Sequence, residues 1–232
     1  MVSFAVIIPA AGSSVRFGDG RNKLLEPLSG DTVLLRSIRA FAQRKDVSAV
    51  VVATSIDPAA WASLGRGMAG KITTCVGGQC RAESVLHALR AVPDQIEWVA
   101  VHDAARPLVS QAMISRTFAA AVARGAAAPA LPVALTVKQA QGPLPARVER
   151  TLPRHTLWAM QTPQVAGRAA LLDAFERCTL PLDQVTDDAQ VLELAGKDVW
   201  LIAGEERNLK ITTLQDMQVA ELILAARRTA QT

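Results

Sequence analysis

The chain has 232 residues, 50% of them hydrophobic and 20% charged, with a formal net charge of +4. This fits one domain with a substantial core, with or without an appendage, and the modest basic surplus suits phosphorylated small molecules as well as nucleic acid, for which no Lys/Arg block argues. Cys75, Cys80 and Cys178 form neither a disulfide framework nor a CxxC zinc pattern, and no leader-like segment or run of ~18 apolar residues is present, so reduced thiols in the cytoplasm are expected and export or membrane spanning is not.

The first apolar run, FAVIIP at 4–9, reads as a buried strand. It passes into AAGSSVRFGDGRNK, with glycines at 12, 18 and 20 and two cations, Arg16 and Lys23. Ligands of open α/β sheets bind outside the carboxyl ends of strands, which makes this loop a candidate ligand site. Glycines let backbone N–H groups approach phosphate oxygens, and the two cations can neutralise that charge. The Walker pattern fails here, and GxGxxG fails because Ser14 takes the second glycine position. The segment is therefore a phosphate loop of another kind or a solvated turn.

A helix is expected over 32–44, with Leu34, Leu35, Ile38 and Phe41 on one stripe, followed by strands at 48–54 and 71–76. Gly77 and Gly78 end the latter, and a helix over 81–91 follows, so this turn either reads a base or ribose, with Ser84 adding a hydroxyl, or is an ordinary β-α connection. The strand at 97–103 ends in His102 and Asp103, at the sheet edge that carries the first loop. Asp103 suits Mg²⁺, directly or through water, or a substrate hydroxyl, and Arg106 suits a second phosphate; the plain alternatives are a cap and a surface cation. His102 reads as structural rather than catalytic. A helix over 110–124 starts at Ser110, a suitable N-cap, and a strand at 126–133 follows. This order implies an α/β fold with an open, mostly parallel, doubly wound sheet.

The rhythm breaks over 134–156, where Gly142, Pro143, Pro145 and Pro153 interrupt alternating polar residues. This predicts a protruding β-arm without a core of its own, of the kind that packs on a second subunit. A helix near 167–177, another from Thr186, a strand at 198–203 and a helix over 213–228 complete a single domain spanning 1–232. Thr136, Lys138, Arg154, LWAMQTPQ, TDDA and NLKITT each read alone as a cap, turn or surface cation, and Trp158 as a packing residue.

Taken together and in order, PAAGSSVRFG with Lys23, GGQCRAESV, VHDAARP, TVK, TPQ, TDDA and LKITT resemble the 2-C-methyl-D-erythritol 4-phosphate cytidylyltransferase family. The resemblance implies a nucleotidyltransferase sheet with an arm that interlocks two subunits. It implies CMP transfer from CTP to methylerythritol phosphate with release of pyrophosphate, Mg²⁺ as cofactor, and a place in non-mevalonate isoprenoid synthesis. By position, Arg16 and Lys23 match transition-state stabilisers, and Ala10, Ala11, Gly12, Gly78 and Ser84 match residues that hold cytidine. Asp103 would face the metal and ribose. Arg154 and Lys210 would position the acceptor's phosphate, with Thr136, Arg106 and Thr162 nearby, and Arg154 and Thr136 would serve the partner's site. Asn22, Leu24, Gln79 and Leu135 depart from the family pattern, which bears on loop stiffness and base contact but removes no required cation. Rival readings are a cytidylyltransferase for another polyol phosphate such as ribitol 5-phosphate, a non-catalytic nucleotide-binding regulator, and a nucleic-acid binder. Retention of Arg16, Lys23, Arg154 and Lys210 argues against the regulator.

Overall fold

The computed structural model describes residues 2–12, 17, 21–57, 61 and 70–229. The central strands are β1 (Phe4–Ala10), β4 (Val47–Thr54) and β6 (Trp98–Val101), with β5 (Ile72–Val76) at one edge. Two short hairpin strands, β2 (Pro27–Leu28) and β3 (Asp31–Thr32), precede α1 (Val33–Ala42). Beyond β6 lie β11 (Gln164–Gly167) and β7 (Ala126–Pro132), and β10 (Trp158–Met160) and β12 (Trp200–Ala203) both pair with β7. The pairs β1–β4, β4–β5, β1–β6 and β7–β12 are parallel; β11 pairs antiparallel with β6 and β7, and β10 antiparallel with β7.

Side-chain alternation explains why this sheet needs helices on both faces. Val6, Ile8, Val50 and Val52 point into one core with Leu34, Ile38 and Phe41 of α1 and with Met113 and Ile114 of α3 (Gln111–Arg124). Ile7, Val51 and Ala53 point the other way, onto Val85 and Leu89 of α2 (Arg81–Ala91) and Leu171 and Phe175 of α4 (Arg168–Glu176). A strand that is apolar at every position is stable only with both faces covered. The remaining helices are α5 (Asp188–Leu194) and α6 (Leu214–Thr229).

Local chemistry sets the helix ends. Thr32 Oγ1 accepts from Leu35 N–H, and Ser110 Oγ from Met113 N–H, as N-caps do. Gly125 closes α3 at φ 92°, a conformation that favours glycine. The helix expected from Thr186 starts at Asp188, because the Asp187 carboxylate accepts from Gln190 N–H and fixes the cap there.

Two expectations need correction. The residues of β10 and β11 had no strand assignment, since WAM and QVAG are too short to show a period. Trp158, expected as a packing residue, belongs to neither core and stands 48% exposed on β10. β5 is an edge strand with Thr73 and Thr74 exposed.

The arm is a two-stranded antiparallel hairpin, β8 (Val137–Ala140) with β9 (Val148–Leu152), in which Val137 faces Leu152 and Lys138 faces Thr151. Leu135 and Leu144 are 79% and 90% exposed, so it contributes nothing to either core. By contrast, Ile38 is fully buried under the sheet. Ile38→Ala should cost ~2–5 kcal/mol in urea unfolding, by lost transfer energy and the cavity left behind; an unchanged midpoint would show that this face is not core.

Candidate active site

Because β1 runs parallel to both β4 and β6, and β4 to β5, the segments after β1, β5 and β6 emerge along one sheet edge. The first two are pressed together. A Cβ on Gly77 would collide with Ala11 Cβ, and one on Gly78 would collide with the Glu83 side chain. The turn after β5 is braced from within: Ser84 Oγ accepts from Gly78 N–H at 3.0 Å and donates to Cys80 O at 2.9 Å, and Glu83 Oε2 accepts from Gln79 N–H at 2.6 Å. The Ser84 hydroxyl therefore shapes the turn, beyond the direct ligand role expected of it. A cavity of about 530 Å³ opens here, lined among others by Ala11, Gly12, Lys23, Gly78, Ser84 and Asp103.

Lys23 enters that cavity from a turn that its neighbours build. Asn22 Oδ1 accepts from Leu24 N–H at 3.0 Å and Asn22 O from Leu25 N–H at 2.9 Å, while Leu24 is buried in the core and its carbonyl accepts from Leu34 N–H at 2.9 Å. The two departures flanking the lysine thus close and anchor its turn, as Asx-turn geometry does. Lys23 Nζ donates to Ile211 O at 2.9 Å. Arg16 lies outside the described residues.

A second cavity of about 300 Å³ is lined by Arg106, Thr162, Gln164, Thr186 and Asp187, and it shares Arg81, Asp103 and Lys210 with the first. Those three side chains form the wall between the cavities. Asp103 Oδ1 receives Arg81 Nε at 3.1 Å, and Oδ2 receives Lys210 Nζ at 2.9 Å and Arg106 Nε at 3.4 Å. Burial by itself would push this carboxyl's pKa up; Arg81, then Lys210 and Arg106, outweigh it and hold the group far below the usual carboxylate range. Arg106 is itself strapped down, donating to Asn208 O at 2.8 Å and Met160 O at 3.3 Å.

His102 is structural, as its sequence context indicated. It is fully buried, with Nε2 3.1 Å from Arg106 O and Nδ1 3.0 Å from Thr162 Oγ1, and Thr162 Oγ1 accepts from Asp103 N–H at 3.1 Å. A neutral ring protonated on Nε2 satisfies every partner: Nε2–H donates to the carbonyl and the Thr162 hydroxyl donates to Nδ1. Burial is the main reason that its pKa is pushed down to about 4. Thr162, expected beside the acceptor, both lines that cavity and locks the start of the 103–106 turn.

Ala10 ends β1 and packs in the core instead of lining a cavity. Thr136 and Arg154 lie at the exposed arm and line neither cavity; the Arg154 guanidinium donates to Ala134 O. Residue-by-residue reading had given no role to Arg81, Gln164, Asp188 or Asn208. All four lie inside the quoted segments, but their partners are remote: Arg81 reaches Asp188 across 107 positions. Among the described residues no group of three or more His, Cys, Asp or Glu could hold a metal ion, and Asp103 is the one carboxylate on the shared wall.

A mostly parallel sheet whose carboxyl edge joins a glycine-lined cavity to a second cavity through cations is the architecture of a nucleotidyltransferase. The model of the IspD family, 2-C-methyl-D-erythritol 4-phosphate cytidylyltransferase, matches residues 4–226, and the chain belongs to that family. It is 40% identical over 222 residues to the enzyme of that name from Gloeobacter violaceus, covering 94% of this chain and 95% of the relative. It is 41% identical over 224 residues to the one from Symbiobacterium thermophilum, covering 96% and 93%. The crystal structure of the Francisella tularensis enzyme superposes with a TM-score of 0.82 at 32% identity, over 95% of this chain and 99% of that one.

The buried imidazole makes folding acid-sensitive. The unfolded ring takes a proton near 6.5 and the folded one resists to about 4, so the unfolded chain binds more protons between these values. This contribution to stability should be complete above pH 6.5 and decline as pH falls towards 4. Urea midpoints at pH 7 and pH 5 measure it, and the difference should shrink in His102→Gln; an equal difference in both proteins would contradict the assignment.

Proposed function

We propose that the chain transfers CMP from CTP to 2-C-methyl-D-erythritol 4-phosphate, giving 4-diphosphocytidyl-2-C-methyl-D-erythritol and pyrophosphate. The observation that carries this reading is the pair of cavities meeting at one wall of Arg81, Asp103 and Lys210, with Lys23 in the larger. The glycine-lined cavity takes the nucleotide and the smaller one the polyol phosphate. An acceptor phosphate oxygen attacks the α-phosphorus in line, the new P–O bond forms, and the bond to the β-phosphate oxygen breaks. That nucleophile is already ionised, so the protein's tasks are positioning and charge neutralisation. Lys23, with Arg16, meets charge on the α-phosphate and on the departing pyrophosphate. Lys210 stands on the shared wall, placed to orient the acceptor's phosphate. Mg²⁺ would be carried mainly by nucleotide phosphates, and Asp103, whose carboxylate is paired with Arg81, Arg106 and Lys210, would be the protein oxygen facing it, directly or through water. Bound there, it would supply further neutralisation of phosphate charge.

The exposed arm supports a homodimer in which Arg154 and Thr136 complete the partner's acceptor cavity, since neither lines either of the two cavities described in its own protomer. The cytoplasm is the proposed compartment, supported by three free thiols; no described helix is long and apolar enough to cross a membrane. Pyrophosphate release from CTP, Mg²⁺ and either methylerythritol phosphate or ribitol 5-phosphate tests the reaction, and preference for the ribitol ester would overturn the acceptor.

Lys23→Ala should lower kcat by at least ~100-fold, the loss expected for one oriented charge-stabilising donor; near-normal kcat in a folded variant would remove Lys23 from this role. Arg154→Ala should weaken acceptor use and leave CTP binding close to unchanged. Mixed dimers of Arg154→Ala and Lys210→Ala subunits should recover activity, because one of the two sites regains both cations. Verified heterodimers without recovery would contradict shared sites.

A further inference from the structure

Arg81 is the first residue of α2, so its backbone is set by the glycine turn that lines the nucleotide cavity. Its guanidinium spans two carboxylates that approach from different parts of the fold. Nε meets Asp103 Oδ1 at 3.1 Å, and Nη2 meets Asp188 Oδ2 at 2.8 Å. Asp188 is the first residue of α5 and lines neither substrate cavity. Its side chain is 3% accessible, that of Asp103 9% and that of Arg81 26%.

The acceptor side is tied to the same knot. Gln164, on β11, donates through Nε2 to Asp187 Oδ2 at 2.8 Å and accepts from Ala189 N–H at 2.9 Å, fixing the start of α5 to the sheet. Asp187 and Thr186 line the acceptor cavity directly. One guanidinium therefore joins three pieces: the nucleotide turn behind it, the wall carboxylate Asp103, and the helix start bordering the acceptor.

This arrangement also bears on Lys210, which is paired with Asp103 and stands 40% exposed. To meet an incoming phosphate, Lys210 has to share or leave that carboxylate. Asp103 can give it up only if other cations keep the buried charge paired, since an unpartnered buried carboxylate is costly. Arg106 contributes one longer contact of 3.4 Å, and it also donates to the backbone carbonyls of Asn208 and Met160. Arg81 supplies the shorter of the two remaining arginine contacts, and its second carboxylate stops it from swinging away.

We propose that Arg81 is a positioning residue for the transfer reaction: by bridging Asp103 and Asp188 it sets the acceptor cavity relative to the nucleotide turn and holds Asp103 while Lys210 engages the acceptor's phosphate. This rests on the reaction proposed above. Bridging two carboxylates at once requires the planar fork of arginine. Lysine carries the same charge as a single point on a flexible stem and does not reproduce that geometry.

The test compares the parent, Arg81→Lys, Asp188→Asn and the double variant. Each is checked for cooperative unfolding, for CTP–Mg²⁺ binding by calorimetry without acceptor, and for steady-state kinetics with methylerythritol phosphate. Asp188→Asn preserves volume and strands no buried charge, and a change there reaches the substrates only through its neighbours. Both single variants should bind CTP within ~3-fold of the parent, while kcat/KM for the acceptor falls at least ~10-fold with a raised acceptor KM, the signature of lost alignment. The double variant should be no worse than the poorer single, because both changes break one bridge. Losses that multiply in the double variant, single variants within ~2-fold of the parent, or CTP affinity falling in step with kcat/KM would each overturn the proposal, the last by making Arg81 a nucleotide ligand. If Asp188→Asn does not fold, Arg81→Lys decides by the same comparison of CTP affinity with acceptor kinetics. A parent that releases no pyrophosphate would overturn the reaction itself, and this role with it. A parent that turns over beside variants that match it would overturn only the role of Arg81.

Discussion

Three cations, two of them from distant parts of the chain, converge on one carboxylate. Asp103 takes Arg81 from the turn after β5, Arg106 from its own turn and Lys210 from the segment before α6, and it stands where the two cavities adjoin. A buried carboxylate is tolerable only when paired and hydrogen-bonded, and a buried arginine only when its fork is occupied. Each group here meets the other's need, so the cluster fixes three loops relative to one another. Without it, the sheet would still present loops along one edge, but the turn after β5 would lose its ties to Asp103 and Asp188 beside the second cavity.

The apolar architecture explains why this carboxylate is where it is. β1 and β4 are hydrophobic on both faces, so helices must cover both, and the parallel crossovers that provide them bring successive loops to one edge. Asp103 follows β6 by two residues and inherits that position. Behind it, the His102 imidazole and the Thr162 hydroxyl tie the 103–106 turn to the segment between β10 and β11, using neutral hydrogen bonds in a space from which water is excluded. The site is thus backed by a buried layer of neutral hydrogen bonds, and the Asp103 cluster borders the cavities. Preorganisation of this kind suits a reaction whose nucleophile needs no activation, because catalysis then depends on where charges are held.

The arm follows different physics. Its hairpin is paired internally and exposes Leu135, Leu144 and Val148, so it has its own backbone hydrogen bonds but no hydrophobic support within the protomer. Two-stranded ribbons are marginal alone. Trp158, half-exposed on β10, adds a further apolar group on the same side of the chain's connectivity, immediately after the 3₁₀ turn at Arg154–Thr156. This exposed apolar surface is what the proposed homodimer would cover.

Much of this was legible from residue order. The continuous apolar run FAVIIP, the stripe Leu34, Leu35, Ile38 and Phe41, the glycine pair after β5 and the cap at Ser110 are local signals, decided within a few residues, that mark the doubly wound α/β class, and Gly142, Pro143, Pro145 and Pro153 mark the arm. The motif order identified the family. Tertiary structure alone decided the insertion of the antiparallel β11 between β6 and β7, the use of Ser84 to brace its own turn, and the bridge from Arg81 to Asp188. The three residues of β10 and the four of β11 carried too little periodicity to read. An ion pair 107 positions long leaves no mark on local sequence, because its partners meet only after the sheet has been assembled between them.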